Sequence, residues 1–253
     1  MNAISASFAD SATMMRRNFR HTMRNPLALF NAIIVPVFVM FLMVYVFGGS
    51  FSVGTDYVDY ATPGLIILTI GYGIGPTATA VNSDMTTGFI NRLRVMDVSR
   101  AAVLNAHVIA IMLRTLVSIA IIIGVALLMG FSPTASFPQW LGAIGIVALT
   151  VLAIGWLTVA SGLSAKTPES AGLAGVPLML LPFLSSAFVP ADKMGPGIRE
   201  FAEYQPFTPI IETLRGLLTG TPSTGSAIAA VAWCVGLSLV GYLWARAAFT
   251  KRA

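Results

Sequence analysis

The sequence predicts an all-α integral membrane protein with six transmembrane helices. Of its 253 residues, 56% are hydrophobic and only 10% are charged, whereas soluble domains carry about 25% charged residues. Six apolar runs approach the ~20 residues that a helix needs to cross a ~30 Å hydrocarbon core. The charges concentrate between these runs, since a charge in lipid is costly. The predicted spans are 27–47, 61–81, 107–131, 139–163, 171–189 and 226–245.

Residues 1–26 are predicted to form a cytoplasmic arm with an interfacial helix. Apolar side chains recur every four residues beside a stripe of arginines, which is typical of a helix lying among lipid headgroups. The alternative is ordinary basic flanking sequence. The apolar run that follows is too long for the core of a cleaved signal peptide. The two stripes are Met15, Phe19 and Met23, and Arg16, Arg20 and Arg24.

Helix-bending residues occur in the first two spans. Pro36 lies inside the first, where a proline removes a backbone hydrogen bond and kinks the helix. Gly71, Gly73, Gly75 and Pro76 lie in the second, which is predicted to pack closely and to bend near its middle. Other small residues indicate close helix contacts, either within one subunit or across a dimer. They are Gly142, Gly145, Gly172 and Gly175.

A charged segment, residues 82–100, separates the second and third spans. It must project into water, because lipid cannot accommodate its polar groups. Both of its ends are attached to spans, so a protein that grips the segment can tilt those spans. The alternative is a solvated loop whose arginines only set topology. Its charged residues are Asp84, Arg92, Arg94, Asp97 and Arg100.

Basic residues predict the orientation of the chain. Six spans put both termini on one side of the membrane, and with that side cytoplasmic, 12 of the 15 Lys and Arg residues are cytoplasmic. Residues 82–100 and the tail, 250–253, are then cytoplasmic, while the polar segment 190–222 is external. Residues 27–249 are predicted to form a single transmembrane domain.

Short motifs in this order resemble the permease subunits of type-2 ABC exporters, particularly the daunorubicin-resistance-like drug-export permeases of bacteria. The resemblance covers nearly the whole chain. Its motifs are Arg24-Asn25-Pro26, Tyr45-Val46-Phe47-Gly48-Gly49, Tyr60-Ala61-Thr62-Pro63-Gly64, the loop residues Asp84, Gly88, Arg92 and Arg94, Gln205-Pro206-Phe207-Thr208-Pro209 and Glu212-Thr213-Leu214-Arg215.

The resemblance implies a cytoplasmic coupling helix within 82–100 that docks in a groove of a separate ATPase subunit. Two copies of each subunit would make the transporter, or this chain would pair with a paralogous permease. The sequence carries no P-loop, and ATP and Mg are expected on the partner ATPase, with no cofactor, metal or catalytic residue on this chain. The coupling residues are Asp84, Gly88, Phe89, Arg92, Leu93, Arg94 and Asp97.

The resemblance also implies that the external segment forms a re-entrant hairpin between the fifth and sixth spans, which gates the exit. The hairpin residues are Glu200, Glu203, Pro206, Phe207, Glu212 and Arg215.

A separate candidate site consists of His107 and Arg114, which are seven residues apart and therefore lie on one helix face. They either line a translocation path, or Arg114 extends to the cytoplasmic headgroups.

The expected function is therefore export of an amphipathic, drug-like substrate across the bacterial inner membrane by alternating access. The expected partners are the ATPase, a second permease, membrane lipids and this substrate, but no nucleic acid. A lipid or glycolipid exporter is the first alternative. An ion-gradient-driven transporter is less favoured, because no Asp or Glu lies in the middle of a span. An intramembrane serine protease would require Ser161 and His107 to meet.

Overall fold

The computed structural model describes residues 26–50, 53–86 and 100–252, and side chains within 33–50, 53–86 and 107–251. All regular elements of these described ranges are helical, and none is a strand. The helices are α1 (Pro26–Phe41), α2 (Tyr57–Tyr72), α3 (Ile74–Thr86), α4 (Arg100–Leu128), α5 (Phe137–Ser164), α6 (Pro168–Leu173), α7 (Val176–Leu180), α8 (Ile198–Tyr204), α9 (Phe207–Leu218) and α10 (Thr224–Arg252).

Five stretches of the described chain are long and apolar enough to cross a membrane. They correspond to the first, second, third, fourth and sixth predicted spans. The second span is longer than predicted and comprises α2 and α3 together, while α10 continues past the predicted end of the sixth span to Arg252. The stretches are Ile33–Ser50, Tyr57–Thr86, His107–Leu128, Phe137–Ser164 and Thr224–Lys251.

The predicted fifth span, 171–189, is divided into short pieces. Its residues fall in α6, α7, a 3-10 turn at Leu181–Leu184 and a non-helical stretch beyond it. Pro177 and Pro182 each stand at the start of a piece, where the missing proline N–H costs no helical hydrogen bond. The prolines therefore divide an apolar run that hydropathy alone predicts as one helix.

The second span occupies the centre of the fold. Nearly every residue of α2 is buried, and its largest fully buried side chains include Leu65 and Ile67. Helices α1, α4 and α9 contact α2, whereas α5 packs against α3 and α10. By contrast, α1 and α10 leave large apolar side chains such as Phe38 and Leu239 exposed. Apolar surface of this kind is suited to contact with lipid or another membrane helix.

Candidate functional site

The end of the second span that precedes residues 87–99 is fastened to the end of the fourth span. Asn82 is fully buried, and its side-chain nitrogen donates to the carbonyl oxygens of Gly162, at 2.9 Å, and Ala165, at 2.6 Å. Thr79 adds a hydrogen bond from its hydroxyl to the carbonyl of Pro168, at 3.1 Å. These bonds join α3 to the end of α5 and to the start of α6.

Asp84 and His107 connect the two sides of residues 87–99. The carboxylate oxygen Oδ2 of Asp84 lies 3.5 Å from Nε2 of His107. Asp84 lies near the end of α3 and His107 lies in α4, so the pair joins the second span to the third. The sequence assigned these residues to two separate sites. The tertiary structure brings them together.

The remaining residues of two predicted sites lie outside the described ranges. This applies to the interfacial-helix residues Met15, Arg16, Phe19, Arg20, Met23 and Arg24, and to Gly88, Phe89, Arg92, Leu93, Arg94 and Asp97 of the coupling segment. Their roles stay predictions. The described helix ends on either side of the coupling segment are the end of α3 and the start of α4.

Arg114 contacts the middle of the second span. Its Nη2 atom donates to the carbonyl oxygen of Gly73 at 3.0 Å and also hydrogen-bonds the hydroxyl of Thr77. The Thr77 hydroxyl in turn donates to the same Gly73 carbonyl at 2.8 Å. The guanidinium therefore bonds the site where α2 ends and α3 begins. A role for Arg114 and His107 in a translocation path stays a prediction.

Arg215 of α9, in the segment predicted to be external, is bonded to two distant backbone groups. Its Nε donates to the carbonyl of Tyr60 at 3.2 Å, and Nη2 donates to that of Ser186 at 2.6 Å. The guanidinium carbon lies 3.8 Å from the centre of the Tyr60 ring, within the range of a cation–π interaction. The Tyr60 hydroxyl donates to the Ser186 carbonyl as well, at 3.0 Å. The external segment is thus fastened to the start of the second span.

Helix α9 packs into the protein as an amphipathic helix. One face, with Ile210, Ile211, Leu214 and Leu218, is buried against α2, α5 and α10. Phe207 is also buried, and Pro206 immediately precedes the helix. This packing explains why a segment outside the long apolar helices contains so many large apolar residues.

Glu200 and Glu203 have local partners in α8. The carboxylate of Glu200 accepts a hydrogen bond from the backbone N–H of Gly197 at 2.5 Å. Glu203 pairs with Arg199 at 2.9 Å, and this hydrogen bond raises the pKa of Arg199. The predicted gate residues therefore divide into two groups. Glu200 and Glu203 form local contacts, whereas Arg215 forms long-range ones.

An open cavity of about 450 Å³ lies beside Arg215. Glu212 and Arg215 of α9 line one side, and Asp59 and Tyr60 of α2 line another. The two carboxylate oxygens of Asp59 accept from the backbone and hydroxyl groups of Ser132, at 2.9 and 3.4 Å. Sequence reasoning missed Asp59 and Ser186 as neighbours of this site, because no local pattern brings residues 59, 186 and 215 together.

Metal-binding chemistry finds no support in the ranges the structure describes, which contain no group of three or more His, Cys, Asp or Glu residues able to hold an ion. Cys234 is buried in α10, with its sulfur 3.5 Å from the Thr150 hydroxyl. Ser161 donates its hydroxyl hydrogen to the Leu157 carbonyl of its own helix at 2.9 Å, while His107 contacts Asp84. The Ser161 hydroxyl therefore bonds its own helix, and His107 bonds the second span.

Comparison with known proteins gives one family and several named relatives. The family profile described as ABC-2 type transporter matches residues 11–219. The chain is 26% identical to the daunorubicin resistance ABC transporter permease protein DrrB1 of Streptomyces coeruleorubidus, over 85% of this chain and 74% of that protein. It is 26% identical to the probable doxorubicin resistance ABC transporter permease protein DrrC of Mycobacterium tuberculosis, over 94% and 87% of the two chains. It is 28% identical to the putative transport permease ycf38 of Porphyra purpurea, over 82% and 73%.

Proposed function

Because this chain belongs to the ABC-2 type transporter family, we propose that it is the membrane-spanning permease subunit of an ATP-driven exporter in the bacterial inner membrane. ATP and Mg bind to a separate ATPase subunit. Six spans keep both termini in the cytoplasm, with the divided segment 171–189 as the fifth crossing. The transporter contains two permeases, either two copies of this chain or this chain with a paralogue.

The observation that carries the proposal is the attachment of the charged segment at both ends. Asn82 fastens the helix before it to the fourth span, and the Asp84–His107 pair joins that helix to the third span. A force applied to residues 87–99 would therefore act on three spans together. Arg92 and Arg94 supply charge to the ATPase contact, and Phe89 and Leu93 supply an apolar anchor at i, i+4 spacing.

The external segment is proposed to close the exit. Helices α8 and α9 form the hairpin, and Arg215 holds it to Tyr60 and Ser186. Alternating access requires these contacts to rearrange when the coupling segment moves. Since Arg215 joins the hairpin to the outer end of the second span, the same span connects the ATPase side to the exit.

The cargo is proposed to be amphipathic and drug-like. Two of the relatives are named for resistance to daunorubicin or doxorubicin. Within the membrane, an apolar cavity of about 240 Å³ is lined by side chains of the second, third and fourth spans and of α9. A lipid or glycolipid cargo is the second candidate, because the same apolar lining suits an acyl chain.

The first test is affinity purification of the tagged chain from native membranes. The parent is compared with an Asp84→Ala/Arg92→Ala variant and with an external control, Asp192→Ala/Arg199→Ala. We expect a P-loop ATPase to copurify with the parent and the control, and less of it with the first variant. Equal recovery of the ATPase with all three proteins would show that the coupling site lies elsewhere. Absence of an ATPase from intact complexes would overturn the exporter assignment and favour the ion-driven alternative.

The second test identifies the cargo class. Purified complexes are reconstituted into liposomes with ATP, using rhodamine 6G as an amphipathic dye and a fluorescent phosphatidylethanolamine as a lipid. Transport of the dye alone supports the drug-like cargo. Transport of the phospholipid alone supports the lipid alternative.

A further inference from the structure

The two halves of the second span are fastened to different parts of the protein. In the outer half, α2, the Tyr57 hydroxyl donates to the Phe188 carbonyl at 3.1 Å. Gly64 packs so closely that an added Cβ would lie 2.6 Å from the Cβ of Ala187. Together with the bonds of Tyr60 and Arg215 to the Ser186 carbonyl, these contacts join α2 to residues 186–188 and to α9.

The inner half, α3, is fastened to the cytoplasmic ends of α5 and α6. A Cβ added to Gly162 would lie 2.6 Å from the Ala78 carbonyl oxygen, and one added to Gly175 would lie 2.5 Å from a side-chain carbon of Ile74. Backbones approach this closely only where glycine leaves room. With the two hydrogen bonds of Asn82, these contacts hold α3, the end of α5 and the α6–α7 segment together.

The halves meet at Gly73. Pro76 lies in the first turn of α3, so it offers no N–H to the carbonyl four residues earlier, that of Tyr72, and its ring crowds that carbonyl. Helix α2 ends at Tyr72 for this reason, and Gly73 links it to α3. The Gly73 carbonyl accepts from Arg114 and from the Thr77 hydroxyl.

Arg114 is a costly residue at this depth. A charged side chain inside a membrane span is expensive and usually functional. Within the described residues, no carboxylate forms an ion pair with Arg114, and it hydrogen-bonds the neutral groups of Gly73 and Thr77. A single guanidinium nitrogen, Nη2, hydrogen-bonds both acceptors, which lie one helical turn apart at the junction of α2 and α3.

We propose that Gly73 is a hinge in the second span and that Arg114 is the positioning residue that holds it. In this mechanism, which rests on the proposed function, the coupling segment moves α3, the end of α5 and α6 as one unit. That unit turns about Gly73 relative to α2 and the external segment. Arg114 acts on the angle between the halves of the span, not on cargo.

Spin-label distances test the hinge directly. In a Cys234→Ser background, one pair of labels replaces Thr86 and Leu128, at the inner end of the second span and the outer end of the third. A control pair replaces Thr86 and Glu169, both in the proposed inner unit. In nanodiscs containing the ATPase complex, ATP with vanadate should shift the first distance on the order of 2–5 Å and leave the control pair unchanged. An unchanged first distance in a complex that still transports rhodamine 6G would overturn the hinge.

The variants Arg114→Gln and Arg114→Lys test the positioning residue. Both should broaden the Thr86–Leu128 distribution of the resting permease and leave the Thr86–Glu169 distribution narrow. Lysine keeps the charge but carries a compact ammonium on a flexible stem in place of the guanidinium, so Arg114→Lys separates positioning from a purely electrostatic role. Parental distributions in both variants would overturn the role of Arg114. Because this measurement needs no ATPase, it stands even where the exporter assignment fails.

Gly73→Ala examines the flexibility of the hinge without disturbing its packing. A Cβ at this position would lie 3.4 Å from the Ile70 carbonyl oxygen and 3.5 Å from Arg114, which are tolerable contacts. Alanine favours the helix over glycine, so the nucleotide-driven shift should decrease. The control is Gly124→Ala in α4, where the added Cβ meets nothing within 4 Å. Equal shifts in the two variants would show that Gly73 is not the pivot.

Discussion

The imidazole of His107 lies 3.5 Å from the carboxylate of Asp84, across a gap of more than twenty residues in the chain. Both side chains are largely shielded, with exposed fractions of 11% and 16%. This contact sets the spacing between the second and third spans where the charged segment leaves them. The contact therefore affects the position in which the charged segment meets a partner.

Replacing His107 by Gln should weaken ATPase binding. A contact of this kind is worth about 1 kcal/mol, and a loss of that size that is passed on fully to binding lowers the affinity roughly fivefold. The affinity of the purified ATPase for the permease in nanodiscs is measured by biolayer interferometry. Asp192→Asn, which changes a carboxylate of the external segment, serves as the control. Equal affinities for parent and His107→Gln would exclude this role for the pair.

Arg215→Met should destabilise the protein strongly. The change leaves the Tyr60 and Ser186 carbonyls without their charged donor and removes the contact with the Tyr60 ring. Hydrogen bonds to charged groups are worth about 1.5–3 kcal/mol each, so the thermal unfolding temperature in detergent should fall clearly. Arg199→Met, in the exposed pair with Glu203, should leave it unchanged. Similar losses in the two variants would contradict a special role for Arg215.

Gly162→Ala should lower the free energy of unfolding by about 1–3 kcal/mol, the usual range for overpacking. Its new methyl group would meet the Ala78 carbonyl at 2.6 Å and the Val81 side chain at 2.9 Å. Gly145→Ala is a matched control on the same helix, where no atom lies within 4 Å of the added Cβ. The free energy of unfolding of that control should rise by up to ~1 kcal/mol, because alanine has a higher helix propensity than glycine. Denaturant titrations followed by tryptophan fluorescence compare the two, and a neutral Gly162→Ala would refute the close packing of α3 on α5.

Asn82→Ala should loosen the end of the fourth span near Gly162 and Ala165. The variant removes the donor to the Gly162 and Ala165 carbonyls, at a cost of about 1–3 kcal/mol for buried groups left unpaired. Hydrogen exchange of the backbone amides near residues 158–165 should accelerate. Thr86→Ala is the control, because its hydroxyl bonds only carbonyls of its own helix. Unaltered exchange in Asn82→Ala would show that the two spans are held together by other contacts.

Local sequence patterns predicted features that depend on local chemistry. The second span is divided at Gly73, between α2 and α3 and close to Pro76, whereas a bend at this place stays a prediction. Gly172 and Gly175 form close contacts within one subunit. No atom of the described subunit lies within 4 Å of a Cβ added to Gly145, so for this residue a contact across a dimer stays a prediction. Pro177 and Pro182 indicated an interruption of the fifth span, but the apolar run 171–189 still predicted a single span.

Sequence alone determined the all-helical membrane class, the positions of the long apolar helices and the family. These depend on composition, on runs of ~20 apolar residues and on short motifs read in order. Only the tertiary structure decided the partners of Arg114, Arg215 and Asp84, which lie 41, 155 and 23 positions from Gly73, Tyr60 and His107. The reason is that a buried charge takes whichever neutral or charged groups the packed helices bring within reach, and helix periodicity carries no information about that packing.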